Sequence, residues 1–290
     1  MSTLSYVAPT SVKDAIAALS GASGVAKLLS GGTDLLVQLR TGRIRPDLIV
    51  DTKKIPGLIG IKDEGGGAFT IGAATPCAEL GEHAALEKAW PGVVEGANLI
   101  GSTQIQGRAS LAGNLCNASP AADSVPALIA AGAQCVVAGP NGERTVPVET
   151  IATGPGKTSL GKGELLIAFK LPKRPAHAAD AYLRFIPRTE MDIAVVGCGI
   201  DVTLDGKGVC TAARVVLGAV APTAVLVADA AKALIGNKLD EATLAKLDAA
   251  ARAACKPIDD KRGTIDYRIK VAGVLARRTA AIAFERAGGR

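Results

Sequence analysis

Lys27-Leu-Leu-Ser-Gly-Gly-Thr-Asp-Leu-Leu36 runs from an apolar strand through a double-glycine turn into the start of a helix. Two adjacent glycines let main chain come close to an anion, and the free amides of the following helix point at it. A pyrophosphate suits such a turn. Alone the motif is weak, because a Gly-Gly step capped by Thr or Asp also opens many ordinary helices. It lacks both GxGxxG spacing and the Gly-Lys-Ser/Thr ending of a P-loop.

Around this turn the patterning predicts a helix over 11–19 capped by Ser11, a strand over 26–29, a helix over 35–40 and a strand over 48–51. A strand over 69–71 and helices over 77–83 and 91–99 follow. Residues 102–122 show no period, and a stretch of that length inside a compact domain is usually functional. It carries Gln104, Ser110, Gly113, Asn114, Asn117 and Ser119, with Asp123 opening a helix over 123–131, so its polar groups can hold a ligand. Asp123 can also be read simply as the cap of that helix. Strands over 134–138, 143–147 and 165–171 lead to a polar, proline-bearing linker over 172–178. Beyond it, strands over 182–186, 193–204 and 209–217 precede helices over 225–234, 241–253 and 266–287, the order of an α+β domain.

Composition narrows the functions available. The 290 residues are 48% hydrophobic and 21% charged, which excludes a disordered chain, and the 34 glycines have no collagen-like period. The net charge is +6, but aromatics are 3% and scattered, so the basic balance does not read as nucleic-acid binding. The cysteines form no CxxC and no Cys-His cluster, which gives no zinc or iron–sulfur site. With no leader pattern at the N-terminus and no apolar run of spanning length, the expectation is a soluble cytoplasmic protein without a membrane span. His83 and His177 are the only histidines, and no catalytic triad, HExxH motif or paired carboxylates stand out. No residue is therefore assigned as catalytic or metal-binding, and a bound cofactor would have to supply any redox chemistry.

Taken in order, Lys27 to Leu36, Ile100-Gly-Ser-Thr-Gln-Ile-Gln-Gly-Arg-Ala-Ser-Leu-Ala-Gly-Asn-Leu-Cys-Asn-Ala-Ser-Pro-Ala-Ala-Asp123, Gly163-Glu-Leu-Leu-Ile-Ala-Phe-Lys-Leu-Pro172, Arg188-Thr-Glu-Met-Asp-Ile-Ala-Val-Val196 and Asp259-Asp-Lys-Arg-Gly-Thr-Ile-Asp-Tyr-Arg268 resemble the FAD-binding medium subunit of the molybdenum hydroxylases. That family includes the carbon monoxide dehydrogenase medium subunit and the flavin domain of xanthine dehydrogenase. The resemblance covers nearly the whole chain.

It implies an α+β fold: an N-terminal FAD-binding domain over 1–174 with subdomains of about 1–55 and 56–174, of the type found in vanillyl-alcohol-oxidase-like flavoproteins. A C-terminal α+β domain over 179–290, with a three-stranded antiparallel sheet and helices, would close over the flavin. It implies that FAD is held by Leu29, Ser30, Gly31, Gly32, Thr33, Asp34 and Leu35 in the first loop and by Ile100, Gly101 and Ser102. Ser110, Ala112, Gly113 and Asn114 would meet the cofactor from the other side. Asp123 falls near the ribityl and flavin, Leu165 or Leu166 on a strand beside the cofactor, and Asp192 at the approach to the ring.

The family role is electron transfer within a heterotrimer with a molybdenum-cofactor large subunit and a 2Fe-2S small subunit, delivering electrons to an external acceptor. Two other readings stay open from the residues: a free-standing flavin-dependent oxidoreductase, and a scaffold subunit that has lost FAD. Ser110-Leu-Ala-Gly-Asn114 stands where the family commonly has Thr-Ile-Gly-Gly-Asn, and Gln106-Gly107 where Arg-Asn is usual. Ala112 thus puts a methyl where a glycine would permit an unusual φ.

Overall fold

The computed structural model describes residues 4–289. Its first unit is a small parallel sheet. β1 (Ser5–Val7), α1 (Val12–Gly21), β2 (Ala26–Leu29), α2 (Leu35–Arg40) and β3 (Leu48–Asp51) alternate, and the strands lie in the order β1-β3-β2. Parallel neighbours need a crossover, which the two helices provide. Ser11 Oγ accepts from Asp14 N at 3.0 Å and starts α1, whose Ala15 and Leu19 pack with Val50 of β3.

The second unit is an antiparallel sheet faced by short helices. β4 (Ile61–Gly65), β5 (Ala68–Gly72), α3 (Cys77–Glu82), α4 (Ala84–Ala89), α5 (Pro91–Asn98), α6 (Thr103–Gln106), α7 (Leu111–Cys116), α8 (Ser124–Ala130), β6 (Gln134–Gly139), β7 (Gly142–Pro147), β8 (Ala152–Gly154), β9 (Lys157–Thr158) and β10 (Leu165–Leu171) follow in sequence. The sheet order is β4-β5-β10-β6-β7, with β8 and β9 forming a separate ribbon. β10 is central and apolar, and strand alternation sends Leu165 into the core shared with the first unit and Leu166 to the opposite face.

The third unit is an antiparallel sheet, β11 (Ala178–Phe185), β12 (Val196–Leu204), β13 (Cys210–Gly218) and β14 (Val225–Leu226), backed by α9 (Ala228–Leu234), α10 (Glu241–Ala253) and α11 (Ile265–Arg286). One face, with Cys198, Ile200 and Val202, packs on these helices. The other face meets α5 and α8 of the second unit. Gly199 permits that approach: a Cβ there would lie 2.6 Å from the Pro126 carbonyl oxygen.

Several expectations are corrected. The third sheet has four strands, not three, because Val225 and Leu226 pair with Leu217 and Val216 instead of opening a helix. β12 begins at Val196, since Arg188 to Ile193 form a loop held by Asp192. The stretch 102–122 contains α6 and α7, helices too short to show a 3.6-residue period. Asp123 makes no capping bond to α8. The segment 172–178 is no loose linker either: the Arg174 guanidinium stacks 3.9 Å over the Trp90 ring and bonds Asp180. β1, β4, α4 and the β8–β9 ribbon left no clear signal in the sequence.

Candidate functional site

A cleft of about 440 Å³ separates the first unit from the second, within the range of small-molecule and cofactor sites. One wall is the turn after β2, with Ser30, Gly31, Gly32, Thr33, Asp34 and Leu35. The opposite wall is the N-terminal end of α7, with Ser110, Ala112, Gly113 and Asn114. Ile100, Ala73 and Leu166 give an apolar floor, and Thr158 and Leu160 to Glu164 close one end.

The two glycine-bearing loops touch directly. Ser30 Oγ and Ser110 Oγ lie 2.8 Å apart, and a Cβ on Gly31 would fall 1.8 Å from the Arg108 carbonyl oxygen. Any larger residue at 31 would force the walls apart. Gly32 holds φ at +81°, in the left-handed region that favours glycine. A second bridge runs from Gln38 Nε2 to Asn117 Oδ1 at 3.2 Å.

This geometry leaves polar groups free on the cleft side. The main-chain N–H groups of Gly31, Gly32, Thr33 and Asp34 donate to no acceptor among the described residues, while Leu36 N already bonds the Gly32 carbonyl. Across the cleft Ser110 Oγ accepts from Gly113 N at 3.2 Å and caps α7. Asn114 Oδ1 accepts from the Ser124 hydroxyl at 2.8 Å, tying α7 to α8. Lys27 and Lys162 add positive charge to the lining. Asp34 lines the cleft and makes no cap bond to α2, and desolvation raises its carboxyl above the ordinary range. Cys116 also lines the cleft, but burial pushes its thiol up to about 12 and keeps it protonated.

Of the residues singled out from sequence, Ser30 to Leu35, Ile100, Ser110, Ala112, Gly113, Asn114, Asn117 and Leu166 therefore converge on one cleft. The others lie outside its lining. Leu29 ends β2. Gly101, at φ +62°, turns the chain behind Ile100, and Ser102 bonds Gln104. Leu165 faces the core shared with the first unit. Asp123 accepts from Tyr182 OH at 3.1 Å and Arg184 Nη1 at 2.7 Å, joining α8 to the third sheet. Burial pushes its carboxyl up to about 6 despite Arg184. Asp192 is held by Arg262 at 3.0 Å and Arg188 at 3.3 Å, which keeps its carboxyl below the usual range. Ala112 lies inside α7 and not in left-handed backbone, so its methyl strains nothing.

Sequence reasoning missed Lys27, Gln38 and Lys162, together with the wall from Thr158 to Glu164. Gly161-Lys-Gly163 was the available signal for that wall, two glycines between strands.

A row of unpaired amides on a double-glycine turn, facing a capped helix start across an apolar floor, suits a ligand with a central pyrophosphate, sugar hydroxyls and a flat ring. The cleft thus has the features of a dinucleotide-binding site. A family model described as "FAD binding domain in molybdopterin dehydrogenase" matches residues 2–174, and one described as "CO dehydrogenase flavoprotein C-terminal domain" matches residues 181–283. The carbon monoxide dehydrogenase medium chain of Afipia carboxidovorans is 34% identical over 98% of this chain and 96% of its own length. The xanthine dehydrogenase FAD-binding subunit of Escherichia coli O157:H7 is 31% identical over 99% and 98%. Among solved structures, carbon monoxide dehydrogenase from Hydrogenophaga pseudoflava superposes with a TM-score of 0.93 at 32% identity, covering 98% of both chains. The chain belongs to the family of FAD-binding medium subunits of molybdenum hydroxylase-type dehydrogenases, and FAD is its cofactor.

The relatives are subunits of multi-subunit oxidoreductases. Among the described residues no helix is long and apolar enough to cross a membrane.

Proposed function

We propose that this chain carries electrons from a 2Fe-2S partner subunit, itself supplied by a molybdenum-cofactor subunit, to an external acceptor in a heterotrimeric, cytoplasmic complex. The observation that carries this reading is the amide row from Gly31 to Asp34 set against Ser110 across an apolar floor. It is a mould for a dinucleotide.

FAD supplies the redox chemistry when bound, exchanging electrons singly or in pairs. This chain's residues position it. The amides of Gly31 to Asp34 would donate to the pyrophosphate, and Lys27 and Lys162 would offset its charge. Asp34 would accept from sugar hydroxyls, and Ile100, Ala112 and Leu166 would exclude water from the ring. Residues 1–174 form the cofactor-binding domain and 179–290 the domain that covers it. In this reading Leu29, Gly101, Ser102, Asp123 and Leu165 act at one remove, supporting the elements that line the cleft, while Asp192 holds a loop of the third unit. The six free cysteines accord with a reducing compartment.

The test is the visible spectrum of the purified chain, with mass analysis of the released chromophore, followed by stopped-flow mixing with reduced partner subunit. A flavin spectrum with the mass of FAD, bleached by the reduced partner and restored by an acceptor, is the expected result. Turnover of substrate by the isolated chain would favour the free-standing oxidoreductase instead.

A further inference from the structure

Behind the cofactor turn, the end of β3 holds two main-chain carbonyls. Thr52 N and Thr52 Oγ1 donate to the Leu29 carbonyl at 3.0 and 3.3 Å, and Lys53 Nζ donates to the Ser30 carbonyl at 3.1 Å. The same ammonium donates to both oxygens of Asp51, each at 2.8 Å, so its three protons are all committed. Asp51 is buried and is itself fixed by Tyr6 OH at 2.7 Å and Lys53 N at 3.0 Å. A line of bonds thus runs from β1 through β3 to the turn, although Lys53 does not itself line the cleft.

The Ser30 carbonyl and the Gly31 N–H belong to one peptide unit. In a trans peptide the two point in opposite directions, and the described residues include no cis bond. Lys53 holds the oxygen toward β3, which sends the Gly31 N–H, free of any acceptor among the described residues, the other way. A half-turn of this peptide plane is the alternative. It would aim the carbonyl oxygen where the first amide of the row now points, and glycine at position 31 offers little steric resistance to the new φ. Among the described residues no bond other than that from Lys53 Nζ holds the Ser30 oxygen.

We infer that Lys53 is a positioning residue for FAD: through the Ser30 carbonyl it locks the Ser30–Gly31 peptide with its N–H toward the pyrophosphate and keeps a carbonyl oxygen away from that anion. The inference rests on placing the pyrophosphate at this turn. Orientation and not net charge is the effect, because Asp51 neutralises the ammonium where it stands.

The experiment measures FAD affinity of the full-chain apoprotein by fluorescence titration, with ADP and adenosine as competitors. Lys53→Met removes the bond but also leaves a buried carboxylate without its counter-charge. A second variant, Lys53→Met with Asp51→Asn, is neutral where the wild-type pair is neutral, and the Asn oxygen still accepts from Tyr6 OH. Both should bind FAD about tenfold more weakly, because the bond to a charged donor is lost and only part of the population presents the amide. ADP carries the same pyrophosphate and should weaken in proportion, whereas adenosine should compete as it does against the wild type. Lys53→Arg, which keeps a charged donor beside Asp51, should restore most of the FAD affinity.

Unchanged FAD affinity in the double variant, beside a Gly32→Asp chain that purifies without flavin, would overturn the role of Lys53 and leave the turn's assignment intact. A Gly32→Asp chain with full flavin would overturn the placing of the pyrophosphate and this inference with it. Adenosine weakened as much as ADP, or Lys53→Arg as weak as Lys53→Met, would also overturn it. The loss would then come from loosening of the cleft at large and not from one peptide plane.

Discussion

Ser30 and Ser110, eighty positions apart in sequence, meet through their hydroxyls at 2.8 Å and join the two walls of the cleft between the first and second units. Ser110 also caps α7 through Gly113 N, so one hydroxyl serves the bridge and the helix start together. Its loss should be felt in cofactor affinity more than in the fold. Ser110→Ala removes a cap that contributes ~1 kcal/mol along with the bridge. FAD should bind about five- to tenfold more weakly, read by fluorescence titration of the apoprotein, with a fall in Tm of a few degrees. Unchanged FAD affinity would place the cofactor elsewhere.

Gly32→Asp sets a Cβ 2.8 Å from Leu29 Cδ1 at φ +81° and brings a carboxylate toward the pyrophosphate position. The expected outcome is purification without yellow colour. Gly31→Ala should do the same for a different reason, since its Cβ would fall 1.8 Å from the Arg108 carbonyl oxygen and spread the walls. Full flavin occupancy in either variant would defeat the assignment of this turn.

The third sheet is fixed to the second unit by buried charge. Arg184 pairs with Asp123 at 2.7 Å, both largely excluded from water. Arg184→Ala leaves that carboxylate uncompensated, which for buried pairs costs ~3–5 kcal/mol. Chemical denaturation should show a loss of that size. Asp123→Asn with Arg184→Met should recover most of it, because the neutral Asn needs no counter-charge and its oxygen keeps the bond from Tyr182 OH.

Asp180 and Asp201 converge on one Arg174 nitrogen, each at 3.1 Å. Burial raises Asp180 and Asp123 from the ordinary 3.8 to about 6 and Asp201 to about 7, against the pull of nearby arginines. A carboxyl whose folded value is raised binds more protons folded than unfolded, so stability rises as pH falls from about 7 toward 4. Below that range Asp260, Asp240 and Glu164, whose values are lowered in the fold, lose their bonds and stability falls again. Melting followed from pH 8 to 3 should therefore peak near pH 5. Asp201→Asn should raise Tm at pH 8 and flatten the rise on acidification, because Asp180 alone still answers Arg174.

Much of this was legible along the chain. Ser11 as a cap, the run from Ala26 to Arg40 and the centre strand Leu165 to Leu171 follow from local rules, since caps, glycine turns and apolar runs act over a few residues. The collinear motifs led to the family and to FAD. The short helices α6 and α7, and the two-residue strand β14, were not legible, because elements this short owe their existence to partners distant in sequence.

The same division holds for the cleft. Sequence by itself determined which backbone can approach an anion: Gly31 and Gly32 carry that capacity in any fold that keeps the turn. Only the tertiary structure decided that Ser110 faces Ser30, and that Leu166 reaches the cleft while Leu165 does not. It also decided that Asp123 and Asp192 spend their carboxylates on arginines of the third unit. The physical reason is range: a glycine's freedom is a property of its own φ and ψ, whereas the partner of a buried carboxylate is whatever distant side chain packing brings within 3 Å or so.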